Sequence, residues 1–158
     1  MITSRRDVVV HGIIAGAIGY AVVAVLFGIV DYLYGRPGYA TAAYLGARIT
    51  GRALFAVPPF DPVPVIAFNA VHLVLMLGAG LLGSLVVHRS PRAGFLPFYA
   101  FLAGALAALL ASFALAAGLL GAVHAVDLVW INLAAAAATT SYLVVRSELR
   151  SGRHAEHA

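Results

Sequence analysis

The stretch that decides the fold is Val8–Val30, VVVHGIIAGAIGYAVVAVLFGIV. It runs for 23 residues without a charged side chain. An apolar run of about 18 or more residues is long enough to cross a bilayer as a helix. Pro62–His88 reads the same way, with no charge, and Ala93–Val145 carries only Asp127. Those last 53 residues would reach about 80 Å as one helix, at about 1.5 Å per residue. A bilayer core is about 30 Å thick, so the stretch folds back once. The turn falls at Gly118–His124, where two glycines weaken a helix. The expected fold is all-α: an integral membrane four-helix bundle with spans over 8–31, 63–88, 95–119 and 126–145.

Helices are expected and not barrel strands. Each run exceeds 20 residues without polar alternation, whereas a barrel strand needs about 10 alternating residues. In lipid every backbone N–H and C=O must bond internally, which a continuous helix achieves. Composition agrees. The 158-residue chain is 63% hydrophobic and 10% charged, with a mean hydropathy of +0.98. Soluble domains average about 25% charged residues, so this chain cannot clothe a soluble surface. Without cysteine, disulfides, cysteine-ligated metals and thiol nucleophiles are excluded. The net charge of +4 comes from ten arginines and no lysine. They cluster at the ends of apolar runs, where they orient a membrane protein. That placement argues against nucleic acid as a partner. The lysine-free, alanine-rich composition suggests a bacterial chain.

With the N-terminus inside, the cytoplasmic side holds Arg5, Arg6, Arg89, Arg92, Arg146, Arg150 and Arg153, seven in all. The outer side holds three: Arg36, Arg48 and Arg52. The positive-inside rule then places both termini in the cytoplasm and the protein in the inner membrane, multi-pass. The whole chain, 1–158, reads as one transmembrane domain. A 28-residue outer loop, 35–62, opens on the turn signal Gly35-Arg36-Pro37-Gly38 and closes on Pro58-Pro59-Phe60-Asp61-Pro62. Between them Thr41–Phe55 forms either an interfacial helix, with Leu45, Ile49 and Ala53 on one face, or an irregular loop. Residues 147–158 form a short polar cytoplasmic tail, expected to fray.

Two motifs mimic chemistry. Gly78-Ala79-Gly80-Leu81-Leu82-Gly83 matches a dinucleotide fingerprint, but that motif has meaning only between a strand and a helix N-terminus. Inside an apolar helix it is a close-packing surface, and no nucleotide is expected. Gly12, Gly16 and Gly19 form a similar stripe. Small residues let membrane helices approach closely, so Gly12, Gly16, Gly19, Gly80 and Gly83 are read as helix-packing positions. Ser4-Arg5-Arg6-Asp7 matches a twin-arginine export pattern, and Ala40-Thr41-Ala42 a cleavage site. The apolar run between them is longer than a signal needs, so the first helix is read as a retained span.

The six histidines do not form a ligand set. His154 and His157 sit in the tail. His11 and His88 share the cytoplasmic leaflet but lie near its surface. His72 and His124 differ in depth by roughly 10 Å. No bound haem, metal or other cofactor is expected, and no catalytic residue. One constellation carries a site hypothesis. Asp31, Asn69, His72, His124, Asp127 and Asn132 all fall in the outer half of the bilayer. Intramembrane polar groups are costly and are functional candidates by default. These six would converge on a polar pocket, with Tyr32, Tyr34 and Trp130 flanking it. The competing reading makes the aspartates water-facing boundary residues and the asparagines interhelical hydrogen-bond formers.

The stretch Asp31-Tyr32-Leu33-Tyr34-Gly35-Arg36-Pro37, followed by Tyr44-Leu45-Gly46, together with the layout, resembles the small four-helix inner-membrane proteins of bacteria that carry no assigned activity. The resemblance implies a fold and no chemistry. The leading functional reading is a non-catalytic accessory or scaffold subunit. Its partners would be the lipid bilayer and either further copies of itself or a larger membrane complex. Two alternatives stand beside it: a small transporter or channel subunit using the outer pocket, and a quinone- or haem-linked redox subunit.

Overall fold

The structure, a computed structural model, describes residues 5–52, 60–89 and 125–155, with side chains placed for 5–52, 60–88 and 126–146. The expected span 95–119 and His124 lie outside the described residues. Within them the chain is all-helical: α1 Arg5–Leu33, α2 Ala40–Thr50, α3 Pro62–Arg89 and α4 Ala125–Ala155. Three helices, α1, α3 and the Val126–Arg146 part of α4, are long and apolar enough to cross a membrane. The tail departs from expectation, because α4 continues to Ala155. The chain holds no proline beyond Pro97, so no residue there removes a helical N–H where apolar sequence gives way to polar.

Helix α1 lies between α3 and α4 and packs along both, while α3 and α4 touch each other far less. It runs antiparallel to each. Against α3, the Ser84 hydroxyl donates to the Val8 carbonyl at 2.9 Å near one end, and the Tyr20 hydroxyl donates to Asn69 Oδ1 at 2.9 Å further along. Against α4, His11 Nδ1 meets the Tyr142 hydroxyl at 2.9 Å, and the Thr139 hydroxyl donates to the Ala15 carbonyl at 3.3 Å. Helices α3 and α4 therefore point the same way. Arg89 ends α3 at the His11 end of the bundle, and Ala125 begins α4 at the Asp31 end.

Glycine makes the α1–α3 crossing close. A Cβ on Gly80 would come within 2.5 Å of the Gly16 nitrogen and 2.8 Å of its Cα. One on Gly16 would stand 2.6 Å from Leu77 Cα, and one on Gly12 2.7 Å from Leu81 Cα. The two backbones are in direct contact, the arrangement by which small residues hold membrane helices together through dispersion. Gly19 faces α4 instead, where a Cβ would meet Thr139 Oγ1 at 2.6 Å. Gly83 is buried.

Polarity is inverted relative to a soluble protein. Asp31, Thr41, Ser84, Asn132, Thr139 and Thr140 are buried. Meanwhile Val9, Ile13, Val25 and Ile29 of α1, Ile66, Val74 and Leu82 of α3, and Val126 and Leu133 of α4 are exposed. Val74 is 68% exposed and Val25 60%. In water such a surface would drive association; in lipid it is the ordinary exterior.

Candidate functional site

The connection between α1 and α3 is organised by two helix ends of the same construction. Gly35 follows α1 with φ +67°, its N–H bonding to the Tyr32 carbonyl at 3.0 Å, while Arg36 N–H reaches the Asp31 carbonyl at 2.8 Å. Gly51 follows α2 with φ +68°, and Arg52 N–H reaches the Ala47 carbonyl at 2.8 Å. Only glycine enters this left-handed conformation cheaply, and the wrapped-back N–H groups satisfy carbonyls that a helix end leaves orphaned. Each glycine precedes an arginine, and each arginine pairs with an aspartate: Arg36 with Asp31 at 2.9 Å, and Arg52 with Asp61.

Asp31 is fully buried. Its Oδ2 accepts the Thr41 N–H at 2.8 Å and its Oδ1 the Thr41 hydroxyl at 2.7 Å. Tyr39 precedes α2 with no side-chain cap of its own. The carboxylate of α1 therefore caps α2. An anion at the C-terminus of α1 is disfavoured by that helix's dipole; the positive end of α2 and the Arg36 guanidinium offset this. Asp31 is thus buried and not a water-facing boundary residue.

Held this way, α2 buries most of its length against the bundle and keeps Arg48 and Ile49 exposed. Ala40, Thr41, Ala43, Tyr44, Leu45, Gly46 and Ala47 are buried, and it ends at Thr50, short of the expected Phe55. Leu45 is buried but Ile49 is exposed, so these two do not share a membrane-facing stripe. Gly46 lies on the Pro64 backbone, where a Cβ would overlap the carbonyl oxygen. Gly46 and Gly51, which weaken a helix by propensity, are here the docking point and the stop.

Beneath α2 is a cleft of about 190 Å³. Helix α1 supplies Tyr20, Val23, Ala24 and Phe27. The turn into α2 and its first residues supply Gly38, Tyr39 and Ala42. Val65, Phe68, Asn69 and His72 come from α3. The His72 ring stacks on Phe68, with centroids 5.4 Å apart and planes 20° apart, and lies 6.0 Å from Tyr20. His72 is 7% exposed, and its buried Nε2 has no hydrogen-bond partner. Asn69 accepts from Tyr20 and donates to the Val65 carbonyl at 2.8 Å.

No family model, curated protein or solved structure matches the chain. The site therefore stands on its own geometry.

Of the expected pocket residues, the cleft contains Asn69 and His72. Asp31, Asp127 and Asn132 do not line it, and His124 is outside the described residues. Helix α1 packs along both α3 and α4, which touch each other far less, and Asn69 bonds Tyr20 of α1. On α4, Asn132 donates to the Leu128 carbonyl of its own helix at 2.7 Å. Asp127 Oδ1 accepts from Trp130 Nε1 at 3.1 Å. Tyr34, outside the spans and facing solvent, has a phenol held above the ordinary tyrosine value, first by its hydrogen bond to Asp127, then by desolvation and by that residue's charge. Tyr32, Tyr34 and Trp130 are exposed, as amphipathic aromatics are at a membrane interface. Among the described residues, no group of three or more His, Asp or Glu side chains is arranged to hold a metal. His88 Nδ1 donates to the Ser84 carbonyl at 2.8 Å, and His11 is joined to Tyr142.

Tyr20 and Thr41 are the functional neighbours that sequence reasoning missed. Tyr20 continues the Gly12-Gly16-Gly19 face at helical spacing, which marks it as facing another helix. Thr41 carried a signal too, as a hydroxyl residue in the first turn of a helix that lacks its own cap.

Proposed function

We propose that this chain is a four-span bacterial inner-membrane protein that serves as a non-catalytic scaffold or accessory subunit in a larger assembly, with further copies of itself or with other membrane proteins. The fourth crossing, over 95–119, is supported by direction. Helices α3 and α4 point the same way, and a return crossing between them reconciles that shared direction with two spans. The arginine bias of seven to three supports cytoplasmic termini.

One observation carries the scaffold reading: buried and half-buried polar side chains tie helices to one another. Asp31 holds α2, Ser84 and Thr139 bond to α1 carbonyls, and Tyr20 holds Asn69. Interhelical bonds of this kind contribute about 0.6–2 kcal/mol each in lipid. On this reading they hold the helices together as one body that meets other membrane proteins through its apolar faces. Crosslinking in native membranes tests the reading. Discrete higher-mass species are expected; a strictly monomeric protein with no crosslinked neighbour would overturn it.

A further inference from the structure

Helix α4 does not stop where its apolar span ends. The span closes at Arg146, but the helix runs on to Ala155. Arg146, Arg150 and Arg153 follow one another at i, i+4 and i+7, a spacing that keeps them on one face. Thr139 and Tyr142 share that face, all five positions falling within an arc of about 80° at 3.6 residues per turn. Those two residues bond α4 to α1, at the Ala15 carbonyl and at His11. The arginine face is therefore the α1-facing side of α4, prolonged past the span. Glu148 lies on the other side of the helix, about 160° from Arg146.

Helix α1 begins at the same end. It runs antiparallel to α4 and opens with Arg5 and Arg6, shortly before His11. Arg5, Arg6 and Arg146 are exposed. Five arginines thus come together at one end of the α1–α4 contact, with Asp7 the one acidic residue between Arg5 and His11. Like charges gathered this way repel unless an anion joins them. The guanidinium fork takes a phosphate through two parallel N–H···O bonds.

Depth identifies the anion. A bilayer core of about 30 Å grows to about 40–45 Å with its polar zones, so each head-group layer is about 5–8 Å thick. By helical rise Arg150 lies about 6 Å beyond the end of the span, and Arg153 about 10 Å. Arg5 and Arg6 stand about 3–5 Å before Val8, where the charge-free run of α1 starts. The arginines of both helices therefore lie in or at the edge of the layer that holds the lipid phosphates.

We propose that this corner binds the head group of an anionic membrane lipid, held between the start of α1 and the Arg146–Arg150–Arg153 face of α4. The inference rests on the membrane-spanning helices and is independent of the scaffold reading and of which side of the membrane this end faces.

The test is native mass spectrometry of the full chain in a neutral detergent. It is titrated with dioleoylphosphatidylglycerol and, separately, with dioleoylphosphatidylcholine, which has the same tails and a phosphate but no net charge. The phosphatidylglycerol should bind saturably and about 10-fold tighter. Arg150→Gln with Arg153→Gln should remove that advantage, and so should Arg5→Gln with Arg6→Gln on the other helix. Arg48→Gln, at an exposed arginine at the opposite end of the bundle, should change nothing. Inorganic phosphate at the lipid's concentration should not displace the lipid, which is held by its tails as well. The proposal is overturned if the two lipids bind alike, if either double variant keeps the preference, or if Arg48→Gln lowers it as much. Displacement by inorganic phosphate would also overturn it, because the corner would then be a site for soluble anions.

Discussion

Asp31 accepts both hydrogen-bond donors of Thr41, the backbone N–H at 2.8 Å and the hydroxyl at 2.7 Å, across ten residues of chain. It also takes Arg36 at 2.9 Å. The last turn of one helix thereby becomes the cap of the next. Arg36 is partly exposed, so removing Asp31 strands no buried charge, but it loses the charge-assisted bonds to Thr41, a loss of about 1.5–3 kcal/mol. Asp31→Ala should lower the unfolding midpoint in detergent by a corresponding amount and release α2. Thr41→Val keeps the N–H bond and loses only the hydroxyl, so it should cost about 1 kcal/mol. Equal effects of the two substitutions would show that the backbone cap contributes little.

The close crossing of α1 and α3 gives a prediction with an internal control. Gly78 and Gly80 are two residues apart in the same motif. A Cβ on Gly80 meets the Gly16 backbone, whereas one on Gly78 meets nothing within 4 Å. Gly80→Leu should therefore destabilise the protein by at least about 1–3 kcal/mol, since backbone atoms cannot swing aside. Gly78→Leu should be neutral or slightly stabilising, because leucine is the better helix former by under about 1 kcal/mol. Thermal unfolding of the two variants side by side separates packing from propensity. If both are tolerated, the crossing is looser than the structure has it.

These cases show where sequence reasoning reached and where it stopped. The spans at Val8–Val30 and Pro62–His88 were legible because lipid imposes length and apolarity on every crossing segment, whatever its neighbours. The burial of α2 was not legible. Its fate depends on Asp31 and Pro64, which belong to other helices, and local propensity misjudged Gly46 and Gly51. Asn69 and His72 were recognisable as costly intramembrane polar groups. Their companions were not, because the order of helices in space decides which faces meet. With α1 between α3 and α4, Asn69 found Tyr20 and not Asn132.

Tyr34 and Asp127 link the turn after α1 to the start of α4 in a pH-dependent way. The phenol is held above the ordinary tyrosine value of 10.0, chiefly by its hydrogen bond to Asp127. The folded protein thus keeps that proton more tightly than the unfolded chain. Its contribution to stability is fully present below the ordinary tyrosine range and is lost as pH rises through the raised value. Alkaline titration of tyrosinate absorbance, taken as the difference between the parent and Tyr34→Phe, isolates this group. Asp127→Asn should move its midpoint down. An unmoved midpoint would break the link between the two residues.

Orientation can be tested directly because the chain has no cysteine of its own. Thr41 looks from the sequence like a suitable loop position, but it is 1% exposed and would report burial instead of sidedness. Arg48, on the exposed side of α2, is the better site. Losing it only strengthens the arginine bias, leaving Arg36 and Arg52 on the outer side. Arg48→Cys should react with a membrane-impermeant maleimide added to intact cells. Ser151→Cys, beyond the last span on α4, should react only after the membrane is opened. The pair of results also counts crossings. With Arg48 outside and Ser151 inside, an odd number of spans separates them, as the path α3, 95–119, α4 requires. Labelling of both sites from the outside would leave an even number and remove the crossing at 95–119. The reversed pattern would keep the four spans and turn the protein over, placing the Asp31 end and its cleft on the cytoplasmic side.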